Sequence, residues 1–158
     1  MLSDGFKTAI TATLSVRDWA RAVEFYKAAF GAEERLRMPN PDGKTIGHAE
    51  LKIGDSMLML ADEQPGAFGK SPQTLNGTPF CFVLYVENVD AAFQRAVDAG
   101  ATVVRPLENK FYGDRSGLVV DPFGHQWALM SHVEDVPPDE LAKRAAAEHE
   151  KMTSAQSK

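Results

Sequence analysis

One phrase is written twice in this chain, about seventy residues apart, and the fold must give both copies the same shape. In the first copy, Leu14-Ser15-Val16-Arg17-Asp18 ends a strand and reaches a helix cap, where the Asp18 carboxylate can accept from the free N–H groups of the first turn. Trp19, Ala22, Val23, Tyr26 and Phe30 then recur at helical spacing as one apolar stripe, and Gly31 stops the helix by taking the left-handed conformation. In the second copy Leu84-Tyr85-Val86-Glu87-Asn88 matches Leu14 to Asp18, Ala92 and Phe93 match Ala22 and Val23, and Gly100-Ala101 matches Gly31-Ala32 after one residue fewer. Copies of about 55–60 residues are too long for a solenoid unit and imply two equal half-domains joined by a linker.

The residues around each phrase complete the halves. Residues 7–16 alternate, Ile10, Ala12, Leu14 and Val16 on one face against Thr11, Thr13 and Ser15 on the other, which is the period of a half-buried strand. Residues 33–37 read as a short strand and Pro39-Asn40-Pro41-Asp42-Gly43 as a turn. In residues 45–53, Ala49, Leu51 and Ile53 lie opposite His48, Glu50 and Lys52, and Gly54-Asp55 turns the chain into a return strand at 56–61. Residues 62–79 carry three glycines and three prolines without periodicity and read as an inter-module linker. In residues 80–86, Phe80, Phe82, Leu84 and Val86 face away from Cys81, Val83 and Tyr85. A helix at about 89–99, strands at 102–106, 116–120 and 125–131, and a turn at Asp121-Pro122-Phe123-Gly124 follow. Pro137-Pro138-Asp139-Glu140 opens a tail helix to about Lys151, with residues 152–158 expected to be disordered. The expected class is α+β: two βαβββ modules, 7–61 and 80–131, in one domain at 7–133, plus a C-terminal helix and tail at 134–158.

Composition narrows the function classes. A net charge of −5 without a basic block argues against nucleic acid as a partner, because neutralising phosphates takes clustered Lys and Arg. No apolar run approaches the length of a membrane span and no leader pattern opens the chain, so no membrane partner is expected. The single Cys81 cannot form an internal disulfide, so the expected compartment is the reducing cytoplasm. No glycine-rich nucleotide loop follows the first strand, which argues against a nucleotide-dependent methyltransferase.

Several phrases carry a family resemblance: Ser15-Val16-Arg17-Asp18, Glu24-Phe25-Tyr26-Lys27, His48-Ala49-Glu50-Leu51, Gly54-Asp55-Ser56, Phe111-Tyr112-Gly113-Asp114-Arg115 and Asp121-Pro122-Phe123-Gly124-His125-Gln126-Trp127. With the paired modules, they resemble the vicinal oxygen chelate superfamily (glyoxalase I, extradiol dioxygenases and bleomycin-resistance proteins) and within it the PhnB-like branch. The resemblance implies sheets curved into a cup, helices outside, and a small molecule or metal inside. The apolar face of each strand must meet a helix. The other face then lines the cup with Thr11, Thr13, Ser15, His48, Glu50, Lys52, Met57, Met59, Cys81, Val83, Tyr85, Gln126, Ala128 and Met130.

Metal-dependent members of the family place ligands at four matching positions, which fall on Thr11, Met59 (Leu58 if the hairpin shifts by one), Cys81 and Ala128. None is His, Asp or Glu, and a divalent ion needs several hard or borderline donors at once. No cofactor is therefore expected, and a divalent metal is unsupported at the family positions. His48 and Glu50 point to one side of a strand. They are either an acid/base pair in the cup or polar groups on an exposed face or a dimer interface. The ligand-binding candidates are Thr11, Thr13, Met57, Met59, Cys81, Tyr85, Tyr112 and Arg115. Arg115 is open between gripping an anion and pairing with Asp114 or Asp121. His125 is open between the ligand and its own turn, and Trp127 is assigned to the core. The reading is a PhnB-like binder of a small molecule in the cup, forming a homodimer clasped by the tail helix. Two alternatives stand beside it. One is a lyase, isomerase or dioxygenase using a relocated metal or the His48/Glu50 pair; the other is a non-catalytic interaction module.

Overall fold

The computed structural model describes residues 10–66 and 69–156. Its elements run β1 (Ala12–Val16), α1 (Trp19–Phe30), β2 (Glu33–Pro39), β3 (Ile46–Ile53), β4 (Ser56–Asp62), α2 (Pro72–Leu75), β5 (Cys81–Tyr85), α3 (Val89–Asp98), β6 (Thr102–Asn109), β7 (Asp114–Val120), β8 (Gln126–His132) and α4 (Pro138–Gln156). Residues 7–9 of the expected first strand lie outside the described residues, and the strand itself begins at Ala12, later than the expected start, with Ile10 and Thr11 before it. One turn of helix, α2, stands in the aperiodic stretch between the modules, capped by Ser71, whose side chain accepts from the Thr74 N–H.

The two copies of the repeated phrase fold alike because their caps work alike. Asp18 Oδ1 accepts from Arg21 N at 3.1 Å and Asn88 Oδ1 from Ala91 N at 3.0 Å. Gly31 closes α1 at φ 66°, and Gly100 leaves α3 at φ 114°. Each helix start is also tied to the last strand of its own module. Asp62, buried at the end of β4, accepts from Trp19 N at 3.0 Å and from Ile46 N at 2.7 Å, while Ser131 Oγ on β8 accepts from Val89 N at 3.0 Å.

The sheets repeat as the phrase does. One has the order β1-β4-β3-β2 and the other β5-β8-β7-β6. In each, the first and last strands pair in parallel, with Thr13 opposite Met59 and Val83 opposite Ala128, and the remaining neighbours are antiparallel. No strand pairing joins the two sheets among the described residues. They share a core through their helices: α1 packs on α3 as well as on β3 and β4, and α3 packs on β6, β7 and β8. Tyr26 and Phe30 of α1 reach Trp127 of β8, with ring centroids 5.6 and 4.5 Å apart, and Phe25 reaches Phe123 at 6.2 Å. Trp127 is core, as its strand face requires. Each buried aromatic contributes on the order of 2–3 kcal/mol, so the first module's helix depends on the second module's last strand.

Some elements run past their expected ends. β6 extends to Asn109 through Pro106, tolerable because an edge strand can lose one N–H. The helix α4 continues through residues 152–156, correcting the expected disorder there. Thr153 Oγ1 and Ser154 Oγ donate to the carbonyls of His149 and Glu150, so both hydroxyls are satisfied without leaving the helix. None of the described helices is long and apolar enough to cross a membrane.

Candidate functional site

With one face of each sheet buried under a helix, the other is left open, and these open faces are two half-cups. On the second sheet, β5 presents Cys81, Val83 and Tyr85 as exposed side chains, with Val83 56% and Tyr85 60% accessible. Gln126, Ala128 and Met130 lie beside them, half-buried. These three and Cys81, with Ser116, Leu118, Arg105, Lys110 and Tyr112, line a cavity of about 130 Å³; Val83 and Tyr85 lie outside that lining. Its floor depends on Gly117: a Cβ there would come within 2.5 Å of the Phe93 ring on α3, so only glycine lets this helix seat so closely. Lys110 pairs with Glu108, so its ammonium is directed by the edge strand.

The rim carries a network that sequence reasoning found only at Tyr85. Tyr85 Oη donates to Asp114 Oδ2 at 2.6 Å, His132 Nδ1 lies 3.0 Å from Asp114 Oδ1, and His132 Nε2 lies 2.8 Å from Asp135 Oδ1. The Asp114 bond holds the Tyr85 hydroxyl above its ordinary pKa, so the phenol stays a donor. The signal for His132 was present, since counting by two from Gln126, Ala128 and Met130 puts it on the same face. Asp114 enters the sequence reading only as an ion-pair partner open to its neighbour Arg115.

His132 is held above the ordinary imidazole range by its bond to Asp135 and next by Asp114. The sign follows from linkage. A raised folded pKa gives stability that is fully present below the unfolded value of about 6.5 and is lost as pH rises through the folded value. The imidazolium donates to both carboxylates; the neutral ring can donate to only one. Asp135 lies in the segment leading to α4. That segment is therefore expected to dock more firmly at pH 6 than at pH 9, and amide exchange in residues 133–137 should be slower at the lower pH after correction for intrinsic rates. Equal protection at both pH values would sink this reading.

The first half-cup is built differently. Thr13 is exposed with Oγ1 3.7 Å from Met59 Sδ, Thr11 and Met59 are half-buried, and Met57 is buried. His48 Nε2 lies 3.1 Å from Glu50 Oε1, and both side chains are partly accessible. His48 and Glu50 are thus brought together, but neither they nor Thr11, Thr13, Met57 and Met59 line the cavity of the second sheet. Arg115 lies elsewhere: its guanidinium grips Asp90 of α3 through Nε at 2.9 Å and Nη2 at 2.7 Å, rather than Asp114, Asp121 or an open anion site. Of the family's metal positions, Cys81 and Ala128 face the cavity, Met59 belongs to the other sheet and Thr11 immediately precedes that sheet's first strand. A hydroxyl, a thioether, a thiol and a methyl do not make a divalent site. No group of three or more His, Cys, Asp or Glu side chains is placed to hold a metal among the described residues.

Comparison with known proteins agrees with this geometry. The family model of the Glyoxalase/Bleomycin resistance protein/Dioxygenase superfamily matches residues 9–129. An uncharacterized protein of Mycobacterium bovis is 48% identical over 136 residues, covering 84% of this chain and 89% of its own length. The crystal structure of TioX from Micromonospora sp. ML1 is similar at a TM-score of 0.63 and 32% identity, covering 80% of this chain and 99% of TioX. The fosfomycin resistance protein FosX of Listeria monocytogenes, solved with Mn(II) and sulfate, shares the fold at a TM-score of 0.61 and 22% identity, covering 92% of this chain and 99% of its own. By the repeated module, the paired sheets and these matches, the chain belongs to the glyoxalase/bleomycin resistance protein/dioxygenase superfamily.

Proposed function

We propose that the protein is a PhnB-like member of this superfamily that binds a small organic molecule on the open face of its second sheet without a metal. The observation that carries the reading is the donor set. The family's ligand positions hold Thr11, Met59, Cys81 and Ala128, while the cavity combines an apolar wall of Leu118, Ala128 and Met130 with Ser116, Gln126 and Tyr112 at its polar edge. Such a mixture suits a ligand with an apolar body and a few hydrogen-bonding groups. The reading includes a homodimer: the exposed Val83 and Tyr85 leave apolar area that a second copy covers.

The experiment is the metal content of the purified protein after dialysis against Ni, Zn, Fe and Mn, read by mass spectrometry. Retention near zero is the expected result. One ion retained per chain and lost in His48→Ala or Glu50→Ala overturns the reading. The 3.1 Å contact between those two side chains would then be the core of a relocated catalytic site, giving a lyase, isomerase or dioxygenase instead.

A further inference from the structure

We infer that a second site, distinct from the cavity of the second sheet and bordered by β1 of the first, takes a small oxyanion beneath the segment that joins the two modules. The observation is His125. It is 4% exposed, and its Nδ1 is buried without a hydrogen-bond partner, 3.6 Å from Asp121 Oδ2. That separation is an ion-pair distance but too long for a hydrogen bond. The Asp121 carboxylate already accepts from Phe123 N, His125 N, Trp127 Nε1 and Tyr26 Oη, so it is saturated by shorter bonds. A buried imidazole left this way is an exception to the rule that buried polar groups are satisfied.

His125 lines a cavity of about 260 Å³ between β1, residues 69–80 and the turn before β8. The hydroxyls on its wall donate elsewhere: Thr13 to Met59 Sδ, Ser15 to the Gly69 carbonyl and Thr78 to the Phe80 carbonyl. Lys70 lines the same cavity, and its ammonium has no partner among the described residues. With these hydroxyls committed, the donors left to a ligand in the cavity are the Lys70 ammonium and the His125 ring. The ring's Nε2 makes no hydrogen bond to a described residue and is the nitrogen left to donate to a ligand in the cavity. A phosphate or carboxylate group placed there meets Lys70 and His125 together. Thr, Ser and Phe walls limit the ligand to a small one.

The test is a titration of the full chain with inorganic phosphate and, separately, with acetate, following the ¹H–¹⁵N signals of the His125 ring, which are identified by their loss in His125→Gln. The expected result is a saturable shift with at least one of the two anions, and Lys70→Ala weakens it about tenfold. Saturation by phosphate alone assigns a phosphoryl group and by acetate alone a carboxylate. Lys70 is exposed and its replacement leaves the core untouched, so the comparison does not depend on a variant that unfolds. Arg105→Ala, on the second half-cup, should leave the shift unchanged, which separates this site from the one proposed above. No saturable shift with either anion, or an equal shift in Lys70→Ala, overturns the assignment.

Discussion

Asp121→Ala should destabilise the protein by roughly 4 kcal/mol, because it leaves several buried donors unpaired at once. The carboxylate is 3% exposed. Oδ1 accepts from Phe123 N and His125 N at 2.9 Å each, which holds the turn between β7 and β8. Oδ2 accepts from Tyr26 Oη at 2.7 Å and Trp127 Nε1 at 3.0 Å, which ties α1 of the first module to β8 of the second. Each orphaned donor costs about 1–3 kcal/mol, and the losses overlap because one side chain serves all four. Asp121→Asn keeps an acceptor for one pair and offers an amide N–H to the other, so about half the loss is expected. Urea unfolding checks both variants, with the midpoint falling and the slope unchanged. A loss below about 1 kcal/mol for the alanine variant would show that the two modules do not depend on this carboxylate.

The same group sets an acid limit. Burial alone would raise the Asp121 carboxyl, but His125, Trp127 and Tyr26 outweigh it and hold it below its ordinary value. A depressed folded pKa gives stability present above the unfolded value of about 3.9 and lost as pH falls through the folded one. Wild-type stability should therefore fall below pH 4 more steeply than that of Asp121→Asn, which has no such proton to take up.

The repeat made the fold readable. Period-two strands, two polar caps and two glycine stops are local signals, and each was placed by its own neighbours. The same alternation put Cys81, Val83 and Tyr85 on the helix-free face, where the structure has them exposed. What was not legible depends on distance in the sequence. Arg115 finds Asp90 on α3, twenty-five residues earlier, because β7 lies against that helix, and no local pattern states it. The ring contacts of Tyr26 and Phe30 with Trp127 likewise arise only when one module's helix lies over the other's sheet. His48 and Glu50 were paired correctly by strand period, yet which cavity a strand face opens on is a property of the assembled sheets.

Gly113→Ala should release the C-terminal segment from the domain. Gly113 has φ 98°, a conformation that side chains rarely adopt, and a Cβ there would lie 2.1 Å from the Glu134 carbonyl oxygen. The contact is with backbone, so no rotamer change relieves it. The same glycine's carbonyl accepts from Val133 N at 2.9 Å and Glu134 N at 3.0 Å, so the turn and the departing chain are interlocked. Arg144 of α4 extends the lock, bridging Glu134 at 2.8 Å and reaching the Phe111 carbonyl at 3.5 Å. Strain and lost bonds together cost about 3 kcal/mol, more than an exposed ion pair supplies. Protease cleavage between β8 and α4 should therefore speed up at least tenfold in Gly113→Ala, and by less than about threefold in Arg144→Ala, which removes side-chain bonds but adds no backbone clash. Lys110 and Tyr112 stand on the same turn and line the cavity of the second sheet, so the glycine variant should also disturb that cavity. Unchanged cleavage in Gly113→Ala would mean that the turn and the tail move independently, and the mouth of the cavity would then owe nothing to the C-terminal helix.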